Sequence, residues 1–509
     1  MGTVRNALIS VAVIPTILLA QAGSGAAALP RVGPPRGTVV VVGGGSMGPE
    51  IYKAFIDGAG GPDALILMVP NAGGADTYPQ DRPSLRGWRT AGARNIHTLF
   101  TKDRNVANSD SFVAIIKKAG GVWFDGGRQY RLVDAYAGTK TEAAFHEVLA
   151  RGGVVGGSSA GATILGEFLV RGAPSNNNLI MHYPGYEKAF SFLRNVGIDQ
   201  HVVARERLAD FADSLSPKFP NLLGISEDEG TAWVVRGDTG TIVGRSKAFV
   251  YGGGDPADQG KPFLTLFAGD VYDLGARRVI RRASDASPVP ATLITSLFAK
   301  YEDAALGGAT VLVAQDGKVL VDRSFGIPPQ AKYMPTTTVP QFPLGALSAV
   351  FEAICAQIPE PPPQASATPA ADSTASTALP LTPFQRCVSQ RASQPVGLHK
   401  TSATAAGGVM SNVDELYRVA LGLEVPRTYA RNPTAAPGVE REPIDAAKGW
   451  EVDKYRGATR YRTFGSPGGK RSAFVRIPER HVTIIILTND EAADARGMAD
   501  QIADKLLGR

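Results

Sequence analysis

From Gly37 onward, short runs of aliphatic and β-branched residues alternate with stretches of helical length, and this alternation predicts an α/β fold with a parallel sheet. Thr38 to Val42, Ala64 to Val69, Asn95 to Phe100, Gly121 to Phe124 and Val154-Val155 read as strands. Glu50 to Ile56, Ser111 to Ala119 and Lys140 to Ala150 read as the helices between them. Near Asn221 to Val250 the pattern shortens to strands with turn residues and ends in Tyr251-Gly252-Gly253-Gly254-Asp255. A boundary is expected at Arg282 to Pro290, where Ser, Asp and two prolines can neither pack nor continue a helix. Beyond it, a helix over Ala291 to Tyr301 and a hairpin over Gly308 to Gly326 open a second, α+β unit with its own antiparallel sheet. The Asp316-Gly317 pair sets the hairpin turn. Glu360 to Pro383 has too few large apolar residues to offset its ordering entropy, so this insert is expected to be disordered.

At 509 residues the chain is too long for one ordinary core, which agrees with two units, expected at 36–281 and 290–509. A hydrophobic content of 44% with 20% charged residues excludes fibrous and wholly disordered classes, and there is no solenoid-length repeat. The net charge of +6 is small for this length and no Lys/Arg run interleaves with aromatics, so nucleic-acid binding has no support. The first 22 residues read as a signal peptide: Arg5, an apolar stretch from Ala7 to Ala20, and an Ala20-Gln21-Ala22 cleavage site. That stretch is too short for a span and Pro15 interrupts it, so the expectation is an exported protein, periplasmic or secreted, with no membrane span. Cys355 and Cys387 are the two cysteines. Paired in an oxidising compartment, they would stabilise the fold by roughly 3 to 4 kcal/mol in the chain-entropy view. With no C-x-x-C and no histidine pair at ligand spacing, neither a metal nor another cofactor is expected.

Two glycine-rich turns compete for attention. Gly43 to Gly48 follows a strand, precedes a helix and fits G-x-G-x-x-G, but the second strand runs into Pro70-Asn71-Ala72, where a dinucleotide site needs a ribose-binding carboxylate. A tight strand-to-helix turn is the better reading. Gly157-Ser158-Ser159-Ala160-Gly161 sits between Val154-Val155 and an apolar helical stretch, as a nucleophile elbow does, with Ser159 at its apex. The Ala160 amide would face an oxyanion there. A serine nucleophile needs a base. His97 falls in a strand pattern and His146 on a helix; His399 and His481 lie in the second unit and are set aside. His182 stays open, and His201, at the end of an apolar run, is preferred. The orienting acid is sought among Glu227, Asp228 and Glu229, between two apolar runs.

These residues resemble the serine peptidases that include the cyanophycinases and aspartyl dipeptidases, which have a glutamine-amidotransferase-like α/β fold. The resemblance is carried by Val39 to Gly45, Phe124 to Gln129, Gly157 to Ala162, and Asp199-Gln200-His201 with Leu223 to Ala232 downstream. It implies Ser159 as nucleophile, His201 as base, Glu229 as orienting acid, and an oxyanion hole from the amides of Ala160 and of Gly126 or Gly127. It further implies substrate contacts by Gln129, Asp199, Gln200, Arg205 and Arg207. The resemblance to cyanophycinases implies as substrate a poly-aspartate backbone bearing arginines, cleaved to β-Asp-Arg dipeptides; other Asp-containing dipeptides are the alternative, and a non-catalytic binding protein a further one. Where cyanophycinases carry a third arginine this chain has Asp210, a local change of two charge units. A homodimer is left open.

The second unit resembles the serine β-lactamase and penicillin-binding-protein fold through Gly308 to Gly326, Ala405 to Ser411 and the run from Phe474 to Asp490. Where that family has S-x-x-K, Ala346 and Ala349 stand, and Thr463-Phe464-Gly465 is a poor K-T-G. The resemblance therefore implies a unit without its own catalysis, used for packing, substrate holding or attachment.

Overall fold

The computed structural model describes residues 32–175, 177–255, 262–301, 308–326, 341–360, 381–425, 428–431, 442–465 and 472–508. The expected signal peptide, and the greater part of the expected insert at 361–380, lie outside the described residues.

Five short strands come first: β1 (Thr38–Val42), β2 (Ile66–Val69), β3 (Ile96–Thr98), β4 (Gly121–Phe124) and β5 (Val154–Ser158). They lie parallel in the order β1-β5-β4-β2-β3. Next come β6 (Val196–Gln200), β7 (Leu223–Glu227), β8 (Thr231–Arg236), β9 (Thr239–Gly244), β10 (Lys247–Tyr251), β11 (Leu264–Phe267), β12 (Val271–Asp273) and β13 (Arg278–Arg281). The expected parallel sheet is thus only part of a nine-stranded one, because β8, β9, β12 and β13 extend it antiparallel from β1. A four-stranded sheet, β11-β10-β7-β6, stands beside it with β6 and β7 parallel.

The central strands are apolar on both faces because both faces are covered. Val39 and Val41 of β1 point into one core with Phe124, Phe145 and Ile198; Val40 and Val42 point into the other with Phe55, Trp88 and Trp123. The last three rings meet edge to face at 4.8–5.2 Å, the arrangement the ring quadrupole favours.

The second unit holds β14 (Ala309–Gln315), β15 (Lys318–Phe325), β16 (Phe342–Pro343), β17 (Ser402–Ala403), β18 (Val409–Ser411), β19 (Glu451–Tyr455), β20 (Ala458–Gly465), β21 (Ser472–Ile477) and β22 (Val482–Thr488). Six of them form an antiparallel sheet, β15-β14-β22-β21-β20-β19, and β16-β18-β17 form a small one. Asp316 and Gly317 both take positive φ at the β14–β15 turn, which the right-handed twist of a hairpin requires. Leu312 faces a core with Phe351 and Leu416, while Val311 and Val313 face another with Phe298 and Ile502. Cys355 and Cys387 are disulfide-bonded, tying helix Ala349–Gln357 to the turn at 387.

Arg282 to Pro290 departs from the expectation of an unpacked linker. Ala283 is buried and its amide donates to Asp270, while Val289 enters the core of the second unit. Short apolar residues among the polar ones give this segment a side to bury, so the units are joined by a fitted strap.

Candidate active site

Strand register brings the site together. Val42 pairs with Ser158 and Phe124 with Gly157, so the loops leaving β1, β4 and β5 emerge side by side at the carboxyl edge of the parallel strands. That edge is where open α/β sheets bind ligands. Gln200 pairs with Glu227 in the neighbouring sheet, which sets the residues after β6 and β7 level with each other.

Ser159 sits at φ 58°, ψ −120°, a backbone conformation rare for a residue with a Cβ, between β5 and a short helix, Ala160–Thr163. Such a position costs on the order of 1–3 kcal/mol and persists only where its surroundings hold it. Here the Ser159 amide donates to the Val42 carbonyl at 3.0 Å. The two arms of the turn nearly touch: a Cβ on Gly157 would lie 2.1 Å from the Gly161 oxygen, so no larger residue fits. On the other side Gly126 lies against the nucleophile, where an added Cβ would be 3.1 Å from Ser159 Cβ.

His201 follows β6 at φ 56°, and its amide donates to the Gly43 carbonyl. Its Nε2 is 2.7 Å from Ser159 Oγ and its Nδ1 is 2.6 Å from Glu229 Oε1. An ionised carboxylate only accepts, so Nδ1 carries the proton and Nε2 is left to accept from the serine hydroxyl. Burial would raise the Glu229 carboxyl, but hydrogen bonds and charge from His201 and His399 outweigh it and hold the group well below the usual carboxylate range. The two neighbouring acids point elsewhere. Glu227 is fully buried and, through that burial and the nearness of Asp199 and Asp228, is pushed well above its ordinary value. Asp228 accepts from Val203, Ala204, Ser246 and Arg418.

The glycines after β1 belong to this arrangement. A Cβ on Gly44 would lie 2.1 Å from His201 Cε1, and one on Gly45 would lie 2.8 Å from Glu229 Oε2. The loop that imitates a dinucleotide fingerprint is glycine-rich because the imidazole and the carboxylate rest on it.

The residues expected to touch substrate divide. Arg205 is exposed beside the histidine loop. Arg207 is buried, and its guanidinium is lowered to about 10 by burial and by the charge of Arg171. Gln129 is buried and donates from Nε2 to the Val170 carbonyl at 2.7 Å. Asp199 is buried and receives both Nε and Nη2 of Arg171, at 2.9 and 2.8 Å. Both side chains thus have protein partners. Gln200 is buried, with Oε1 lacking a partner among the described residues. Asp210 accepts from Arg171 at 2.6 Å, so the charge it introduces is balanced within the protein.

Of the other histidines, His182 stacks on Phe168 and His146 Nε2 meets the Phe190 carbonyl; neither approaches Ser159. His399, set aside for lying in the second unit, is a correction: its Nε2 is 3.3 Å from Glu229 Oε2. Other contacts also cross between the units. Arg418 reaches Asp228, Lys247 lies between Asp322 and Asp414, and Lys400 meets Glu206. In the second unit Ala346 and Ala349 bring no nucleophile and no lysine to the start of helix Ala349–Gln357, and Ser348 Oγ is taken by the Val409 amide.

Residues 39–243 match Peptidase family S51, and residues 353–507 match the Beta-lactamase family. The chain is 30% identical over 207 residues to Cyanophycinase of Geminocystis herdmanii (strain PCC 6308), covering 40% of this chain and 75% of that protein. It is 29% identical over 234 residues to Cyanophycinase of Synechococcus elongatus, covering 44% of this chain and 69% of that protein. Among solved structures, a peptidase from an acI-B1 Actinobacterium aligns at 23% identity and a TM-score of 0.37, over 47% of this chain and 97% of that one.

Proposed function

The chain belongs to peptidase family S51, and from that membership we propose an exported serine exopeptidase that releases β-Asp-Arg dipeptides from multi-L-arginyl-poly-L-aspartate. It is a serine-type hydrolase with a β-lactamase-like second unit. The observation that carries the proposed roles is the unbroken hydrogen-bond chain from Ser159 through His201 to Glu229, built on a nucleophile held at positive φ.

In the proposed reaction His201 Nε2 takes the Ser159 proton as Oγ attacks the carbonyl carbon of the scissile peptide bond. Negative charge collects on the carbonyl oxygen, facing the Ala160 amide and that of Gly126 or Gly127. The imidazolium, steadied by Glu229, returns its proton to the leaving nitrogen; the C–N bond breaks and an acyl-serine remains. Water then attacks the acyl carbon, giving a proton to His201; the bond between the acyl carbon and Ser159 Oγ breaks, His201 returns the proton to Oγ, and the free acid leaves. Arg205, exposed beside the histidine loop, suits an aspartyl carboxylate of the substrate, and the relatives named Cyanophycinase support the same polymer. The Cys355–Cys387 bond favours an oxidising compartment and so supports export.

The test is release of β-Asp-Arg from purified polymer by the mature protein, beside Ser159→Ala and a panel of α-Asp-X dipeptides. Release that disappears in Ser159→Ala is expected. Cleavage of the dipeptides alone would keep the serine chemistry and overturn the polymer assignment, and turnover of neither would favour a binding protein.

A further inference from the structure

We propose that the second unit completes the active site of the first, with His399 as a positioning residue that holds the outer oxygen of Glu229; this rests on the serine-peptidase reading above. The orienting carboxylate has two oxygens. Oε1 takes the imidazole of His201, and Oε2 faces Nε2 of His399 at 3.3 Å. A carboxylate held at one oxygen can still rotate away from its histidine. Held at both, it presents a fixed acceptor to Nδ1, as outer-shell partners fix the ligands of a metal site.

The segment bearing His399 is built to stay in place. The amides of His399 and Lys400 both donate to Glu415 Oε1, at 2.7 and 2.8 Å. Glu415 is buried in the first turn of the helix Val413–Glu424, and its second oxygen is bonded to Thr401. Arg418 of the same helix, 3% exposed, donates to the Gly397 carbonyl, two residues before His399, and to Asp228 across the boundary. Asp228 in turn accepts from the amides of Val203 and Ala204, in the loop that leaves His201. The contacts form a closed circuit: His201, its own loop, Asp228, Arg418, Gly397, His399, Glu229 and back to His201. The unit thus grips both the base and its orienting acid, a role that needs no nucleophile or lysine of its own.

The charged groups around the carboxylate are His201 and His399 in contact with it, Arg245 and Asp228 from the first unit, and Arg418 and Glu415 from the second; Glu50 and Lys400 lie further out.

The experiment uses the full mature chain with a fluorophosphonate probe, which acylates an activated serine whatever the natural substrate, alongside turnover of the polymer. His399→Ala should slow probe labelling of Ser159 and kcat on the order of tenfold with KM unchanged. His399→Gln, which keeps a donor, should recover most of the rate. The His399 side chain is one-third exposed, so its loss opens no core cavity; should the Ala variant melt early, labelling is compared at a temperature where all three proteins stay folded. Labelling and kcat of His399→Ala that match wild type, or a His399→Gln protein as slow as His399→Ala, would overturn the proposal. A wild-type protein whose labelling does not depend on Ser159 would instead sink the serine-peptidase reading beneath it.

Discussion

Gly44→Ala isolates the link between the β1 loop and the catalytic geometry. The new methyl would sit 2.1 Å from Cε1 and 2.4 Å from Nε2 of His201, where ordinary contact begins at 3.4 Å. The loop cannot give way easily, since Gly43 and Gly44 exchange backbone hydrogen bonds with His201, Gly230 and Thr231. The ring must therefore retreat by roughly 1 Å, and a misplacement of that size costs on the order of a hundredfold in rate. Gly44 also has a φ of +104°, where a side chain strains the backbone by about 1–2 kcal/mol. Gly92 supplies the control: its φ is +102° and nothing lies within 4 Å of an added Cβ, so Gly92→Ala carries the same strain without the collision. Melting temperatures of the two variants should fall alike, while kcat on the polymer and the rate of fluorophosphonate labelling fall only in Gly44→Ala. A Gly44→Ala protein that melts like the control and keeps kcat within about threefold of wild type would refute the placement of His201 against this loop.

Three further outcomes are expected. Arg418→Met leaves the fully buried Asp228 without its cation at a cost of about 3–5 kcal/mol, seen as a lower denaturant midpoint, and adding Asp228→Asn should recover much of it; a purely additive double mutant would contradict the pairing. The folded-state value of Glu229 lies below its ordinary 4.5, so its stabilisation is complete above that value and is lost as pH falls through the depressed one. Melting temperature followed downward in pH should therefore decline more steeply in wild type than in Glu229→Gln below about pH 4.5. Asp210→Arg, which restores the residue usual in the cyanophycinase pattern, sets a third guanidinium beside buried Arg171 and Arg207. It should lower the melting temperature without raising kcat/KM, and a gain in kcat/KM would show that Asp210 had been limiting.

Much of the first unit was legible because its signals are local. Thr38–Val42, Gly121–Phe124 and Lys140–Ala150 have the bounds that their patterns predict, and the other early strands differ from theirs by residues at the ends. The elbow was legible for a similar reason, since the turn itself demands small residues at 157 and 161 whatever surrounds it. The strap at 282–290 was misread because composition reports average polarity and not which side of a segment is buried.

The sequence alone determined where most of the early strands and helices lie and which serine stands at a strained turn. Those properties depend on hydrophobic alternation and steric demands that contiguous residues carry. The residue pattern left Glu227, Asp228 and Glu229 open and only the family resemblance implied Glu229; the tertiary structure sets that carboxylate on His201 Nδ1. It alone brought His399 to Glu229, across 170 positions of chain and from another unit. Contacts of that kind arise from the docking of two finished surfaces, and docking leaves no periodicity in either segment for a reader of the sequence to find.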